Sequence, residues 1–290
     1  MHMVTTLLLV TLLFCVRPKL NLLSRAQFKQ HWVPLVVLGL LYTISICANN
    51  ASVSEVSLPI TFMITNVTPL PTLVLSYLLE RKTYVTAISS LVVLQVLSAV
   101  LAVPNVSSSA SVYGIFLAVI SVFTAAAKPV LAGILMHDRH ETGLTPLVLV
   151  WYYTLVGGIA MFTISAISSE RMYLYIELRS QVWRSTVSIV VGSLMAAAYN
   201  ILMFYLTMFT SALTNTMLGN VKQVIVVVIT YGIVDVGEFA WINWVGILAC
   251  FAVSAMYASV LTQGDSWSWR QAGAPLLPSG SRASEKTPLK

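Results

Sequence analysis

The sequence predicts an all-α polytopic membrane protein of about nine transmembrane helices. Three observations carry that reading. Of 290 residues, 58% are hydrophobic and only 9% are charged, against roughly 25% charged in a soluble domain. Mean hydropathy is +0.86. The apolar residues also arrive in blocks of about twenty, the length that crosses a hydrocarbon core as a helix. A soluble enzyme, a secreted disulfide scaffold and a nucleic-acid binder are excluded as good readings.

The blocks run from Met1–Val16 through Val33–Ala51, Val56–Leu79, Tyr84–Val103, Ser111–Met136, Pro146–Ile167, Ser185–Thr207 and Leu213–Val234 to Trp241–Thr262. Within them Val, Ile and Leu are mixed with Gly, Ala, Ser and Thr, as expected where helices approach closely in lipid. Short connections imply antiparallel neighbours, and a bundle satisfies every backbone polar group internally. Cys15, Cys47 and Cys250 sit singly within apolar blocks, with neither disulfide nor metal-ligand spacing.

Lys/Arg asymmetry sets orientation. Arg17, Lys19, Arg25, Lys29, Arg81, Lys82, Arg139, Arg270, Arg282, Lys286 and Lys290 fall in one set of connections and the tail. The alternate set holds Arg171, Arg179 and Arg184. The C-terminus is therefore expected in the cytosol. The first block lacks a polar lead, so the reading is a ten-span bundle whose first helix is missing here. Residues 1–262 form the membrane domain, and the Pro/Gly/Ser-rich residues 263–290 form a disordered cytosolic tail. Asn105-Val-Ser107 is a glycosylation sequon in a connection expected on the opposite side.

The remaining two cations, Lys128 and Lys222, lie inside blocks. Lys222 is about twelve residues, or roughly 18 Å, from the end of its helix, too deep for easy snorkelling. Lys128 is about nine residues from its end, within reach of partial snorkelling. A charge at mid-bilayer costs at least ~2.5 kcal/mol on insertion scales and normally lines a cavity. Glu55, Glu80, Asp235 and Glu238 all sit at block ends. Two cations without anions at their depth point to an anionic substrate; the competing structural reading is ammonium groups bonded to carbonyls of a broken helix.

Hydrogen-bonding residues cluster beside them: Thr214, Thr216, Gly219, Asn220 and Gln223 near Lys222, and Thr124 and Pro129 near Lys128. The block Val56–Leu79 carries Thr65, Asn66 and Thr68 ahead of Pro69 and Pro71, which free backbone carbonyls at mid-depth. An interrupted helix near the midplane marks a transporter site. Tyr152, Tyr153 and Tyr199 are aromatic groups available to a ligand, although packing explains each singly. A faint repeat superposes Glu80 on Glu238 and sets Lys222 against Ile64, next to Thr65. The offset of five spans makes the two copies inverted.

At these residues the chain resembles the triose-phosphate/nucleotide-sugar translocator family of the drug/metabolite transporter superfamily. The stretches are Asn49-Asn50-Ala-Ser-Val-Ser-Glu-Val-Ser57, Ala127-Lys128-Pro-Val-Leu-Ala-Gly-Ile-Leu135, and Thr210-Ser-Ala-Leu-Thr214 with Leu218-Gly-Asn-Val-Lys-Gln223, continuing to Asn243-Trp-Val-Gly-Ile247. The resemblance implies ten helices in two inverted five-helix repeats, with Met1–Val16 as the second. It implies that Lys128 and Lys222 contact substrate phosphate. A family lysine in the fourth helix is replaced near Thr65, and an arginine frequent in plastid phosphate exchangers is replaced by Gln223. Both departures remove positive charge and favour a nucleotide sugar.

The expected function is exchange of a nucleotide sugar for a nucleoside monophosphate in a Golgi or ER membrane, with no enzyme activity and no cofactor or metal. The expected binding set is Lys128, Lys222, Gln223, Asn220, Thr214, Thr65, Asn66 and Tyr199. The partners are an anionic phosphorylated small molecule and the bilayer, with a homodimer compatible. Alternatives are an organellar triose-phosphate or phosphoenolpyruvate/phosphate translocator and a non-transporting assembly or regulatory subunit. An intramembrane enzyme has little in its favour, since there is no His-Glu-x-x-His pair and His137-Asp-Arg-His140 reads as a solvated turn.

Overall fold

The computed structural model describes residues 2–16, 23, 25–104, 111–137, 144–167, 182–234 and 240–264. These form helices α1 (His2–Val16), α2 (Arg25–Glu55), α3 (Leu58–Thr65), α4 (Pro69–Leu79), α5 (Thr86–Leu101), α6 (Val112–His137), α7 (Pro146–Ile167), α8 (Val182–Phe209), α9 (Ala212–Val234) and α10 (Trp241–Gly264). Among the described residues seven stretches are long and apolar enough to span a bilayer, counting Leu58–Leu79 as one, and Thr86–Leu101 is a shorter apolar helix. The all-α membrane fold is as the sequence predicts. The tail beyond Gly264, the sequon, most of the His137–His140 turn, and Asp235 and Glu238 lie outside the described residues.

Helix α2 is the main departure from the predicted boundaries. It has 31 residues, roughly 46 Å at 1.5 Å per residue, well beyond a ~30 Å hydrocarbon layer. Arg25 and Lys29, expected in a connection, belong to its first turns. Apolar blocks mark only the part of a helix that lipid covers, whereas backbone hydrogen bonding carries the helix onward.

Two packed blocks frame the interior. One joins α1, α2, α6, α7 and α8 around Val10, Leu35, Leu38, Leu149, Tyr153 and Phe204. The other joins α5, α9 and α10 around Val92, Leu213, Met217 and Val253, with Leu70 and Leu73 of α4 against it. Many large apolar side chains face outward, and Phe162, Leu248 and Met195 are each more than two-thirds exposed. Such a surface suits lipid rather than water. The pairings α2–α7 and α1–α8 exchange under the five-span offset, as do α4–α5 and α9–α10.

Close approach holds each block. A β-carbon at Gly246 of α10 stands 2.5 Å from the Ala102 nitrogen and 2.6 Å from the Leu101 carbonyl carbon, so only glycine lets α10 lie on the end of α5. Asn243 completes this joint. Its amide nitrogen donates to the Leu101 and Val103 carbonyls at 3.0 Å each, while its Oδ1 accepts from the Ala240 N–H at 2.9 Å. One side chain thus serves the orphan carbonyls that end α5 and an orphan N–H that starts α10. In the other block Ser121 Oγ donates to the Ser45 carbonyl at 3.1 Å, tying α6 to α2.

Gly246→Val forces backbone apart rather than a flexible side-chain tip. Purified protein carrying it is expected to lose about 1–3 kcal/mol, read as a lower unfolding temperature in detergent, whereas Gly192→Ala, whose surroundings are open, is expected to leave that temperature unchanged.

Candidate functional site

Between the two blocks lies a cavity of about 300 Å³. Its wall is the second half of α2, the α3–α4 junction, the middle of α6, the second half of α8 and the first half of α9. Both interior lysines line it. Lys128 is half-buried on α6, and its Nζ lies 4.5 Å from the centre of the Tyr42 ring. Lys222 is exposed on α9; its Nζ lies 4.3 Å from the Tyr199 ring centre and donates to the Tyr199 hydroxyl at 3.1 Å.

No carboxylate pairs with either amine among the described residues; the ion pair there is Lys82 with Glu80, at 3.2 Å. Glu80 caps α4 with its side chain 4% exposed. Nor do the described carbonyls of the broken helix take the lysines, which was the competing reading. The carbonyls of Thr65, Asn66 and Val67 accept from Thr68, Asn220 and Leu70.

Prolines create the junction. Pro69 and Pro71 have no N–H for the carbonyls four residues back, and the backbone tightens into three-residue steps, Val67 N–H to Ile64 O and Thr68 N–H to Thr65 O, both 3.1 Å. Leu70 N–H turns to the Val67 carbonyl at 3.0 Å, leaving that of Asn66. Asn220 of α9 donates its side-chain amide to that carbonyl at 2.8 Å, and Gln223 donates to Thr65 Oγ1 at 2.7 Å. The Asn66 amide donates in turn to the Ala99 carbonyl of α5 at 3.0 Å. Helix α9 therefore clips the break in place with residues that flank Lys222.

Of the eight residues expected to bind substrate, six line the cavity: Lys128, Lys222, Gln223, Asn220, Thr65 and Tyr199. Asn220 and Gln223 meet it while engaged with the break. The Asn66 side chain is fully buried against α5. Thr214 lies more than two turns from Lys222, with its hydroxyl 3.0 Å from Ser211 Oγ and from the Tyr257 hydroxyl; it secures the start of α9 to α10. Tyr153 is wholly buried between Tyr42 and Phe204, and Tyr152 packs on Trp151 and Phe28. Packing accounts for both.

The structure adds lining residues that sequence reasoning passed over, chiefly Asn200, Asn215 and Thr207. Asn200 Nδ2 lies 3.0 Å from the Tyr42 hydroxyl, and that hydroxyl lies 3.2 Å from Asn200 Oδ1. Asn200 is a polar residue deep in an apolar block, so the rule that singled out the lysines was available for it. Nothing in one dimension brings Tyr42 to it from 158 positions away.

No family model matches the chain. Two relatives do, both from Arabidopsis thaliana. A probable sugar phosphate/phosphate translocator is 26% identical over 219 residues, covering 73% of this chain and 67% of the relative. UDP-uronic acid transporter 1 is 27% identical over 216 residues, with the same coverage. These similarities support the resemblance to the triose-phosphate/nucleotide-sugar translocators seen in the sequence. Both relatives are named as carriers, which supports transport as the role of this chain. No group of three or more His, Cys, Asp or Glu side chains suited to a metal occurs among the described residues.

The Asn220 clip is testable by itself. Asn220→Leu leaves the Asn66 carbonyl buried without that donor, at a cost of about 1–3 kcal/mol. Hydrogen exchange over residues 64–70 should rise in that variant and stay at the parent level in Gly219→Ala.

Proposed function

We propose that this chain is a membrane antiporter that exchanges a nucleotide sugar for a nucleoside monophosphate. The observation that carries the reading is the pair of interior ammonium groups on one cavity, with no carboxylate beside them among the described residues. Charges of like sign in a low-dielectric interior repel and are costly to enclose. A phosphate or diphosphate group relieves both costs at once. Lysine suits the task as a compact cation with three rotatable donors, and Asn200, Thr65 and Gln223 supply neutral hydrogen-bonding groups around it.

Exchange follows from the same electrostatics. With the anion bound, the cavity approaches neutrality and the bundle can rock to the opposite side around it. Without it, two bare cations must be occluded, so return is slow unless counter-substrate is present. The cavity's volume is at the low end of ligand pockets, so a nucleotide sugar requires α9 and the α3–α4 junction to part from α2, α6 and α8 on loading. The orientation with a cytosolic C-terminus rests on the Lys/Arg asymmetry, and a Golgi or ER membrane on the nucleotide-sugar reading.

A phosphate-for-sugar-phosphate exchanger is the second reading. It is favoured by the printed name of one relative and by the modest cavity.

Reconstituted protein is expected to take up UDP-sugar into vesicles preloaded with UMP and to do so poorly into unloaded ones. If the second reading is right, vesicles preloaded with inorganic phosphate should instead take up sugar phosphate, and UMP should not drive UDP-sugar uptake. Lys222→Gln removes one of two phosphate contacts; hydrogen bonds to a charged group contribute about 1.5–3 kcal/mol, so exchange is expected to fall at least tenfold. A Lys222→Gln protein that exchanges at the parent rate overturns the assignment.

A further inference from the structure

Each interior lysine rests on a tyrosine ring, at 4.5 Å for Lys128 on Tyr42 and 4.3 Å for Lys222 on Tyr199. Both distances fall within the range in which a cation is attracted to the negative face of an aromatic ring, an attraction that grows when water is excluded. The two cradles are also joined. The Tyr42 hydroxyl meets the side chain of Asn200, the residue next in sequence to Tyr199. Behind it, the Tyr42 ring packs on Tyr153 at 5.0 Å, and Tyr153 stacks on Phe204 at 5.0 Å and 11°. Tyr42 is 6% exposed and Tyr153 wholly buried. The column fixes where the Tyr42 face points, whatever the cavity holds.

We propose that Tyr42 and Tyr199 are resident counter-groups for the two lysines, holding the ammonium charges while no anion is bound and yielding them to the phosphate when it enters. The inference rests on the anion-exchange reading above and adds positioning residues to it. A ring face is a weaker partner than a phosphate, since its attraction is that of a quadrupole and not of a net charge. It stabilises the unloaded state without competing successfully against substrate. Strength of this contact therefore sets both the apparent affinity for the anion and the ease with which the carrier returns unloaded. A stronger counter-group weakens binding and permits leak; a weaker one tightens binding and makes exchange stricter.

This makes a prediction opposite in sign to that of ordinary structural damage. Tyr42→Leu removes the ring face from Lys128 and destabilises the unloaded state more than the loaded one. UMP binding to purified protein, measured by calorimetry with inorganic phosphate and pyrophosphate as parallel probes, should become about fivefold tighter. In vesicles, uptake into unloaded lumen should fall several-fold relative to uptake into UMP-loaded lumen. Tyr42→Phe keeps the ring, loses only the hydroxyl at Asn200, and should restore the parent affinity and the parent ratio. Tyr199→Leu, at a ring already 38% exposed, repeats the test at Lys222 should the buried substitution fail to fold, though loss of the hydroxyl there also frees a donor to the anion.

The outcomes separate the two claims. A parent protein that binds none of the three probes overturns the anion-exchange reading. A parent that binds them, with Leu variants that bind equally or more weakly, overturns the counter-group role and leaves exchange standing. Tighter binding in Tyr42→Phe as well as Tyr42→Leu assigns the effect to the Asn200 contact and likewise overturns it.

Discussion

Two ammonium groups facing one space inside a lipid-embedded bundle are the constraint around which the rest is arranged. Neither is matched by a carboxylate among the described residues, so their charge must be met by hydrogen-bond acceptors, ring faces or a visiting anion. Each available wall contributes something of that kind. Helix α8 supplies Tyr199 and Asn200, α2 supplies Tyr42 and Ser45, and the α3–α4 junction supplies Thr65 and Thr68. Elsewhere the bundle interior is mainly aliphatic and aromatic, and polar groups such as Asn243 and Ser121 serve helix ends and helix-to-helix ties.

The break between α3 and α4 shows how such a site coexists with a membrane. Prolines at 69 and 71 cancel two backbone donors, and a free carbonyl at mid-depth is costly in lipid. The chain solves this from the far half of the bundle, where Asn220 and Gln223 reach across to Asn66 and Thr65. Those two residues sit two before and one after Lys222. Any shift of α9 that accompanies loading must therefore move the break, and the reverse holds as well. The site and the element best placed to bend are mechanically one unit.

Stability is concentrated away from this unit. Asn243 and Gly246 bind α10 to the end of α5, and Gln95 donates to Cys250 Sγ at 3.1 Å within the same pair. Helices α2 and α7 also approach closely on the other side, where a β-carbon on Gly39 would stand 2.7 Å from Val156 Cβ and Thr43 Oγ1 donates to the Gly157 carbonyl at 3.5 Å. Rigid blocks flanking a cavity with polar, clipped walls are what alternating access requires, because the blocks can then turn against one another without unpacking.

By itself the sequence determined the membrane class, the order of the spans, the interruption at Pro69 and Pro71 and the two lysines, because each is a local property: apolar run length, missing N–H groups, or a charge set too deep to reach water. Only the tertiary structure decided that Lys128 and Lys222 share one cavity, that each lies on a tyrosine, and that Asn220 and Gln223 serve the break as well as the cavity wall. It also withdrew Asn66 and Thr214 to the packing of α5 and α10, and extended α2 to Arg25. The physical reason is that a one-dimensional pattern gives depth in the bilayer but not azimuth around the bundle. Azimuth is set by which helix faces interlock, and the partners that settle it, such as Tyr42 and Asn200, are separated by half the chain.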